Sequence, residues 1–374
     1  MVEIVEVSTK KQLKDFVDYP NRLYSENKYF VPATFGDDFE DWNREKNPAF
    51  AYCDAKCWLA MRDGKIVGRI GAIISHRANE KWNTRRMRFT QVDFIDDREV
   101  STALFEAVEN WAKEMKCEEV HGPLGFMDFD REGLLVQGFD RRSLFFTYYN
   151  DPYYAEHLEA LGYEKDVDWI ENLINIPREN ELTKYLKDMS DKVMKKYNLH
   201  LADARRQRDF APLIPAFFRL VNICYAGLYS TVDLSDEQID RYAKKFAPLI
   251  NPNLSAFVMD ENGEMVGMAV GAPSLADAMQ KSRGKYFPFG WARMLKALYI
   301  NDTIDLLLIA VHPNYQRKGV NAILMNKLIE GCNRMGITKA ETGPTLELNK
   351  KVLSQWRYMD KEQHKRRRCF VKKI

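Results

Sequence analysis

The sequence has few of the features that mark secreted, metal-bound or membrane-spanning proteins. Its six cysteines are scattered over 374 residues without a Cys-x-x-Cys pair, so neither a disulfide framework nor a zinc site is expected. The longest apolar run, residues 306–311, is far shorter than the roughly 20 residues that cross a bilayer. No basic region followed by an apolar stretch opens the sequence, so no signal peptide is expected. These absences predict a cytoplasmic protein with reduced thiols.

Charge of one sign is also scarce. The 56 basic and 54 acidic side chains give a net charge of +2, which does not favour a nucleic-acid partner. The basic character is concentrated in residues 361–374, which contain seven basic side chains and one acidic side chain. This C-terminus has two interpretations. It is either a peripheral contact with an anionic membrane or with phosphate groups, or a terminal strand with one solvated face.

The sequence does contain an internal repeat. Asp-Gly at 63–64 and Asn-Gly at 262–263 each lie between two apolar stretches, a pattern that predicts β-hairpins with type I′ turns. A second matching pair, His-Gly-Pro at 121–123 and Thr-Gly-Pro at 342–344, follows a helical stretch in each half. The shared order of hairpin, strand, helix and strand predicts two similar α/β domains.

The boundary between these domains is expected near Pro177, where the pattern of apolar residues is interrupted. With 374 residues and 45% hydrophobic side chains, the chain is long enough for two separate cores. The predicted domains are therefore residues 1–177 and 178–374.

The most informative segment lies in the second repeat. An apolar strand leads through Pro313 into a polar loop that contains Gly319, and an amphipathic helix follows. The first turn of a helix offers unpaired N–H groups and a partial positive charge, which suit a diphosphate. Gly319 would let the backbone approach such a ligand, and Arg317 and Lys318 add positive charge. The alternative is an ordinary strand–turn–helix connection without a ligand.

This segment resembles motif A of the GNAT acyl-CoA N-acyltransferases, V-x-P-x-x-Q/R-x-x-G-x-G/A. Val311, Pro313, Gln316 and Gly319 match in identity and spacing, whereas Asn321 stands where the last small residue is usual. The resemblance implies an α/β fold of two tandem GNAT-like domains. Each would have a mixed, mainly antiparallel twisted sheet flanked by helices, with one splayed strand pair.

The resemblance also implies where acyl-CoA, as acetyl-CoA or a longer-chain thioester, would bind. The backbone N–H groups of Ile309 and Val311 would receive the pantetheine and the thioester carbonyl. In the first half, Asp96, Asp97 and Glu99 occupy the corresponding loop and would repel a diphosphate. The first domain is therefore expected to lack the pyrophosphate loop. In the second domain, the CoA diphosphate would lie on Gln316, Arg317, Lys318, Gly319, Val320 and Asn321.

Two carboxylates are candidate catalytic bases. Asp305 occupies the position of the carboxylate base in the histone-acetylating branch of the family, and burial is expected to raise its pKa towards neutrality. The alternative for Asp305 is a strand-end residue in solvent or in a salt bridge. Glu347, two residues before Asn349, is the second candidate.

The group that protonates the departing thiolate is not evident. Asn349 matches the first residue of the family pattern N-x-x-A-x-x-x-Y, but Trp356 stands at the position of the tyrosine. An indole cannot deliver that proton. Either the thiolate leaves with help from solvent, or the chemistry differs.

The resemblance implies an N-acyltransferase that moves an acyl group from CoA or a carrier protein to a primary amine by direct attack, without a metal. Through residues 46–48 and 365–368 the chain also resembles a bacterial group related to ceramide synthases, which acylate sphingoid amines. The acceptor is accordingly expected to be a small-molecule or lipid amine. Residues 273–300, rich in bulky apolar side chains, would either line a groove for a long acyl chain or cover their own core. The alternative function, a catalytically silent GNAT-fold binding protein, is favoured by Trp356 and Asn321.

Overall fold

The computed structural model describes the backbone of all 374 residues and every side chain except those of Phe35, Phe246 and Pro248. The chain forms two compact units, each assembled from separate segments. Unit 1 comprises Met1–Ile170, Leu275–Met294 and Lys365–Ile374, and unit 2 comprises Glu171–Ser274 and Leu295–His364. The predicted boundary at residue 177 would give two continuous domains. In the structure, by contrast, residues 275–294 and 365–374 of the second half belong to unit 1.

The regular elements have the following bounds. The strands are β1 (Glu3–Glu6), β2 (Cys53–Arg62), β3 (Lys65–Ser75), β4 (Arg86–Phe94), β5 (Glu119–Gly122), β6 (Leu134–Gln137), β7 (Glu164–Asn175), β8 (His200–Leu201), β9 (Ser255–Met259), β10 (Met265–Pro273), β11 (Thr303–Val311), β12 (Lys339–Thr342), β13 (Thr345–Leu346) and β14 (Lys361–Lys373). The helices are α1 (Lys10–Leu23), α2 (Phe35–Asp41), α3 (His76–Trp82), α4 (Arg98–Glu114), α5 (Tyr153–Ala160), α6 (Glu181–Tyr197), α7 (Ile214–Tyr225), α8 (Asp236–Phe246), α9 (Ala276–Ser282), α10 (Gly290–Tyr299), α11 (Val320–Met335) and α12 (Lys350–Leu353).

Unit 1 is built on a mixed sheet. Strands β1 to β4 are antiparallel neighbours, β4 and β5 are parallel, and β5 pairs with β14 in antiparallel register. The first predicted hairpin is present, and positive φ angles at Asp63 (51°) and Gly64 (74°) give it the expected turn. Helix α4 packs its apolar face on these strands, with Leu104, Phe105 and Val108 fully buried.

Unit 2 repeats this arrangement. Strands β8 to β11 are antiparallel neighbours, β11 and β12 are parallel, and β12 pairs with the end of β7 in antiparallel register. The second predicted hairpin is present, but its turn is a loop of residues 260–264. The carboxylate of Asp260 accepts the backbone N–H groups of Asn262 and Glu264, and Gly263 has a φ of 77°. The aspartate therefore stabilises a longer loop than the predicted two-residue turn.

The two units differ at the start of their main helices. In unit 1, the Asp97 carboxylate accepts the N–H groups of Glu99 and Val100, and thereby caps α4. Arg62 pairs with Asp97 at 2.6 Å and with Glu99 at 2.8 Å. A carboxylate thus occupies the end of this helix that attracts anions.

The basic C-terminus forms the terminal strand β14. The side chains of Lys365 and Arg367 are fully buried, and the Asp168 carboxylate accepts hydrogen bonds from Arg366 and Arg368, each at 2.9 Å. Burial alone would raise the pKa of Asp168, but the two guanidinium groups lower it below its ordinary range. The basic C-terminus is therefore a terminal strand, as the second interpretation predicts, but Lys365 and Arg367 are buried and do not lie on a solvated face.

Candidate active site

The loop between β11 and α11 has the backbone shape of an anion-binding turn. Arg317 and Gly319 adopt positive φ angles of 61° and 85°. A Cβ atom at position 319 would also lie 2.8 Å from Cγ2 of Val193, so glycine is needed there for both conformation and space. Alternation of left- and right-handed residues is typical of concave loops that bind phosphate groups. In this concavity the N–H group of Lys318 itself donates to the carbonyl of Tyr315 at 3.4 Å.

Positive charge surrounds this concavity. Helix α11 begins at Val320, so the N–H groups at its start carry its partial positive charge, although that of Ala322 donates to the carbonyl of Gly319 at 2.9 Å. Arg317 is exposed beside them. The ammonium group of Lys318 lies 4.9 Å from the ring centroid of Tyr315 and 5.3 Å from that of Tyr197, which holds it at the loop. The loop fits a diphosphate.

Gln316 has a different task from its neighbours. Its side-chain Nε2 donates to the carbonyl of Val311 at 3.1 Å, and its Oε1 accepts from Nζ of Lys351 at 3.0 Å. The side chain therefore ties the loop to the end of β11. The Gln316 side chain therefore shapes the concavity, and the N–H groups that could bind an anion come from the backbone of the loop.

Strands β11 and β12 diverge in front of this loop. They pair only from Thr303 to Leu306, whereas β10 pairs with β11 as far as Val311. In the pairing of β11 with β10, a bulge at Leu307 of β11 shifts the register where β12 diverges. The strand pair is therefore splayed, as predicted, and its opening leads towards the loop.

The main chain of β11 faces this opening at the predicted positions. The N–H group of His312 donates to the carbonyl of Val266 on β10, so the alternate residues Ile309 and Val311 direct their polar groups away from β10. The N–H groups of Ile309 and Val311 thus point into the splay, where they can donate to an acyl or pantetheine carbonyl.

Helix α7 adds a phenol that the sequence analysis missed. The hydroxyl of Tyr225 donates to the carbonyl of Ile309 at 3.5 Å, and the thiol of Cys224 lies 3.5 Å from the carbonyl of Val311. Tyr225 precedes Ile309 by 84 residues and belongs to no recognisable motif, so only the tertiary fold reveals it. Tyr225 is the phenol that this geometry places at the splay.

Asp305 is completely buried on β11, next to Glu341 on β12 in the parallel register. Its neighbour Ile304 packs in the apolar cluster that contains Met325 of α11. Because side chains alternate along a strand, Asp305 points to the opposite face. The alternative in which Asp305 lies at a solvated strand end is thereby excluded.

Helix α7 lies on this same face of the sheet. On β9, Ala256 and Val258 pack in the apolar cluster of α11, so Phe257 between them points away from α11. The ring of Phe257 contacts Phe217 of α7, with 6.2 Å between the ring centroids. Tyr225 and Asp305 are therefore brought to one face of the splayed sheet.

A buried acidic cluster extends from Asp305. One carboxylate oxygen each of Glu171 and Glu341 and one ring nitrogen of His364 lie within 4.8 Å of one another. The Nε2 atom of His364 is 3.3 Å from Oε1 of Glu341. Carboxylate and imidazole ligands in this arrangement suit a divalent cation. The three residues come from β7, β12 and β14, so no spacing along the chain indicates the cluster.

The remaining predicted site residues, Glu347 and Asn349, lie in the turn between β13 and α12. The side chain of Asn349 accepts the N–H group of Val352 at 3.3 Å and caps the short helix α12. Glu347 is half-buried two residues earlier. Trp356 is buried in the apolar cluster with Ile304, on the face opposite Asp305, and Tyr358 is 69% exposed.

Comparison with known proteins agrees with this geometry. Residues 214–354 match the sequence model of the acetyltransferase (GNAT) family. The chain is 27% identical to Protein YghO of Escherichia coli (strain K12), over 98% of this chain and 94% of that protein. It is 24% identical to the bacterial ceramide synthase of Caulobacter vibrioides (strain NA1000 / CB15N), over 93% of this chain and 91% of that protein.

The fold has a counterpart among solved structures. A tandem GNAT protein from the clavulanic acid biosynthesis pathway superposes with a TM-score of 0.56 and 12% identity, covering 100% of this chain and 98% of that chain. The predicted fold class is therefore confirmed. Residues 214–354 therefore carry the sequence similarity to the acetyltransferase (GNAT) family, and the chain as a whole has the fold of a tandem GNAT protein.

Proposed function

We propose that this protein is an N-acyltransferase that moves an acyl group from acyl-CoA to a primary amine. The observation that carries the proposal is the meeting of two features in unit 2. The splay presents the N–H groups of Ile309 and Val311, and it opens towards the anion-binding loop at Gly319. Acyl-CoA carries both a diphosphate and a thioester. It would need the loop for the diphosphate and the splay for the thioester.

Each group of residues has a role in the proposed reaction. The backbone from Gln316 to Asn321 binds the diphosphate, and the N–H groups of Ile309 and Val311 orient and polarise the thioester carbonyl. Asp305 takes the proton that the attacking ammonium group must lose. The amine nitrogen then forms the new C–N bond as the C–S bond breaks, and no covalent intermediate with the protein is needed.

The phenol of Tyr225 is placed to return a proton to the departing sulfur. Tyr225→Phe removes only the hydroxyl and should lower kcat with an acyl-CoA roughly tenfold, because a thiol with a pKa of about 8.5 needs limited acid assistance. The rate with an aryl thioester, whose thiol is more acidic, should change little. Tyr229→Phe, which removes a hydroxyl four residues further along, in the turn after α7, is the matched control. Equal rate losses with both thioesters would assign Tyr225 a structural role.

The proposed function is tested on the wild-type chain with CoA, acetyl-CoA and palmitoyl-CoA. A bound cosubstrate at 100 times its Kd should raise the free energy of unfolding by about 2.7 kcal/mol. Addition of primary amines should then release free thiol and yield the amide, detected by mass spectrometry. Stabilisation without thiol release from any amine would leave a silent binding protein, and absence of stabilisation by any thioester would refute CoA binding.

A lipid amine is the second candidate acceptor, and a long acyl chain the corresponding donor. The similarity to the bacterial ceramide synthase of Caulobacter vibrioides, over nearly the whole chain, favours this version. A preference for palmitoyl-CoA over acetyl-CoA in the same assay, together with acylation of a long-chain amine, would support it.

A further inference from the structure

One stretch of the chain exposes an unusual number of large apolar side chains. Residues 281–300, here called the aromatic segment, begin in the last turn of α9 and include α10. Thirteen large apolar side chains are exposed among those that the structure describes, and seven of them lie in this segment. The expectation that residues 273–300 cover their own core is therefore wrong for these side chains. They are Tyr286, Phe287, Phe289, Trp291, Leu295, Tyr299 and Ile300.

The backbone of the segment holds these side chains outward. Gly284 lies against the carbonyl of Ala33, and Gly290 against that of Lys285, so closely that neither position has space for a Cβ atom. The indole N–H group of Trp291 donates to the carbonyl of Pro288 at 3.1 Å. These contacts close a compact turn, and Phe287 and Phe289 protrude from it with 82% and 67% of their surface exposed.

Helix α10, which follows this turn directly, exposes further apolar side chains. Trp291, Leu295 and Tyr299 are spaced by four residues and form one exposed stripe. Met294, on the other side of the helix, is buried and attaches it to the protein. A helix with one buried side and one apolar exposed stripe needs a second apolar environment outside the protein.

The charged side chains of the segment itself have a single sign, and Asp277, just before it, pairs with Lys281 at 2.8 Å. From residue 278 to residue 301 the sequence contains no aspartate or glutamate. All five cations of the segment are exposed, so the apolar stripe is bordered by positive charge. They are Lys281, Arg283, Lys285, Arg293 and Lys296.

We propose that the aromatic segment docks this protein on the surface of an anionic lipid bilayer. Aromatic side chains favour the headgroup region, where their rings leave water, and lysine and arginine are attracted by anionic headgroups. A second copy of the chain would bring five cations against five cations, which disfavours self-association through this face. In the described chain, none of the helices combines the length and apolar composition needed to cross a bilayer. The segment therefore lies on the membrane surface, and this docking is independent of acyl transfer.

The proposal is tested by flotation of the full-length protein with vesicles of phosphatidylcholine alone or mixed with one quarter phosphatidylglycerol. The wild type should float with the mixed vesicles, and less of it should float as salt increases from about 0.05 to 0.5 M. The double variant Phe287→Ser/Phe289→Ser should reduce the bound fraction at least tenfold. Lys285→Glu/Lys296→Glu should abolish the preference for anionic vesicles.

Tyr185→Ser is the matched control, because it removes a ring that is 59% exposed outside the segment. It should bind vesicles like the wild type, and all variants should keep the wild-type Tm. Equal vesicle binding by the wild type and the phenylalanine variant would overturn the proposal. So would a concentration-dependent dimer that the same variant abolishes, because a second copy would then cover the face. Vesicle binding without acyl transfer would refute the proposed function alone.

Discussion

Asp305→Asn is expected to lower kcat for amine acylation on the order of 1,000-fold, with the KM for acyl-CoA changed by less than about twofold. The substitution keeps the size of a fully buried side chain on β11 and removes its ability to accept a proton. Steady-state kinetics with acyl-CoA and a primary amine measure the effect.

The matched comparison is Glu347→Gln, which removes the second candidate base. Glu347 is half-buried at the turn before α12, whereas Asp305 shares the face of the sheet with Tyr225. We expect Glu347→Gln to change kcat by less than roughly threefold. If Glu347→Gln lowered kcat more than Asp305→Asn did, and both variants had the Tm of the wild type, Glu347 would be the base.

Gly319→Glu is expected to abolish the stabilisation of the protein by CoA, with an increase in Kd of at least about 100-fold. The new side chain must adopt a φ of 85° against Val193, and its carboxylate would lie at the helix end that is proposed to bind the diphosphate. Thermal denaturation with and without CoA measures the loss.

Gly336→Glu is the matched control at the other end of the same helix. Gly336 has a φ of 74°, and an added Cβ atom would have nothing within 4 Å. Both variants should therefore lose stability through backbone strain, about 1–3 kcal/mol each, but only Gly319→Glu should lose the response to CoA. A full CoA response in Gly319→Glu would show that the diphosphate binds elsewhere.

Local sequence patterns predicted the part of the site that is local in the chain. The strand end, Pro313, the loop and the start of α11 follow one another within a few residues, so their order determines their geometry. The splay could be inferred only through the family resemblance, because it depends on β12 leaving β11. Tyr225, Glu171 and His364 come from distant segments, and no periodicity brings them together.

Composition alone did not show whether the basic C-terminus and the aromatic segment are buried or exposed. The basic C-terminus has the charge of an exposed tail, yet strand pairing buries Lys365 and Arg367 completely. The aromatic segment has the composition of a core element, yet its rings are exposed. Hydrophobicity measures the tendency to leave water, and it does not distinguish a protein interior from another apolar partner.

The position of β14 determines when unit 1 can complete its fold. Phe370 is fully buried in the core of unit 1, and its strand partner on β5 is Gly122. At a synthesis rate of roughly 5–20 residues per second, Gly122 waits on the order of 10–50 s for Phe370 to emerge. During this interval the edge of β5 and the apolar face of α4 remain open to non-native pairing. Unit 1 therefore completes its folding only after unit 2 has been synthesised, despite containing the first residue of the chain.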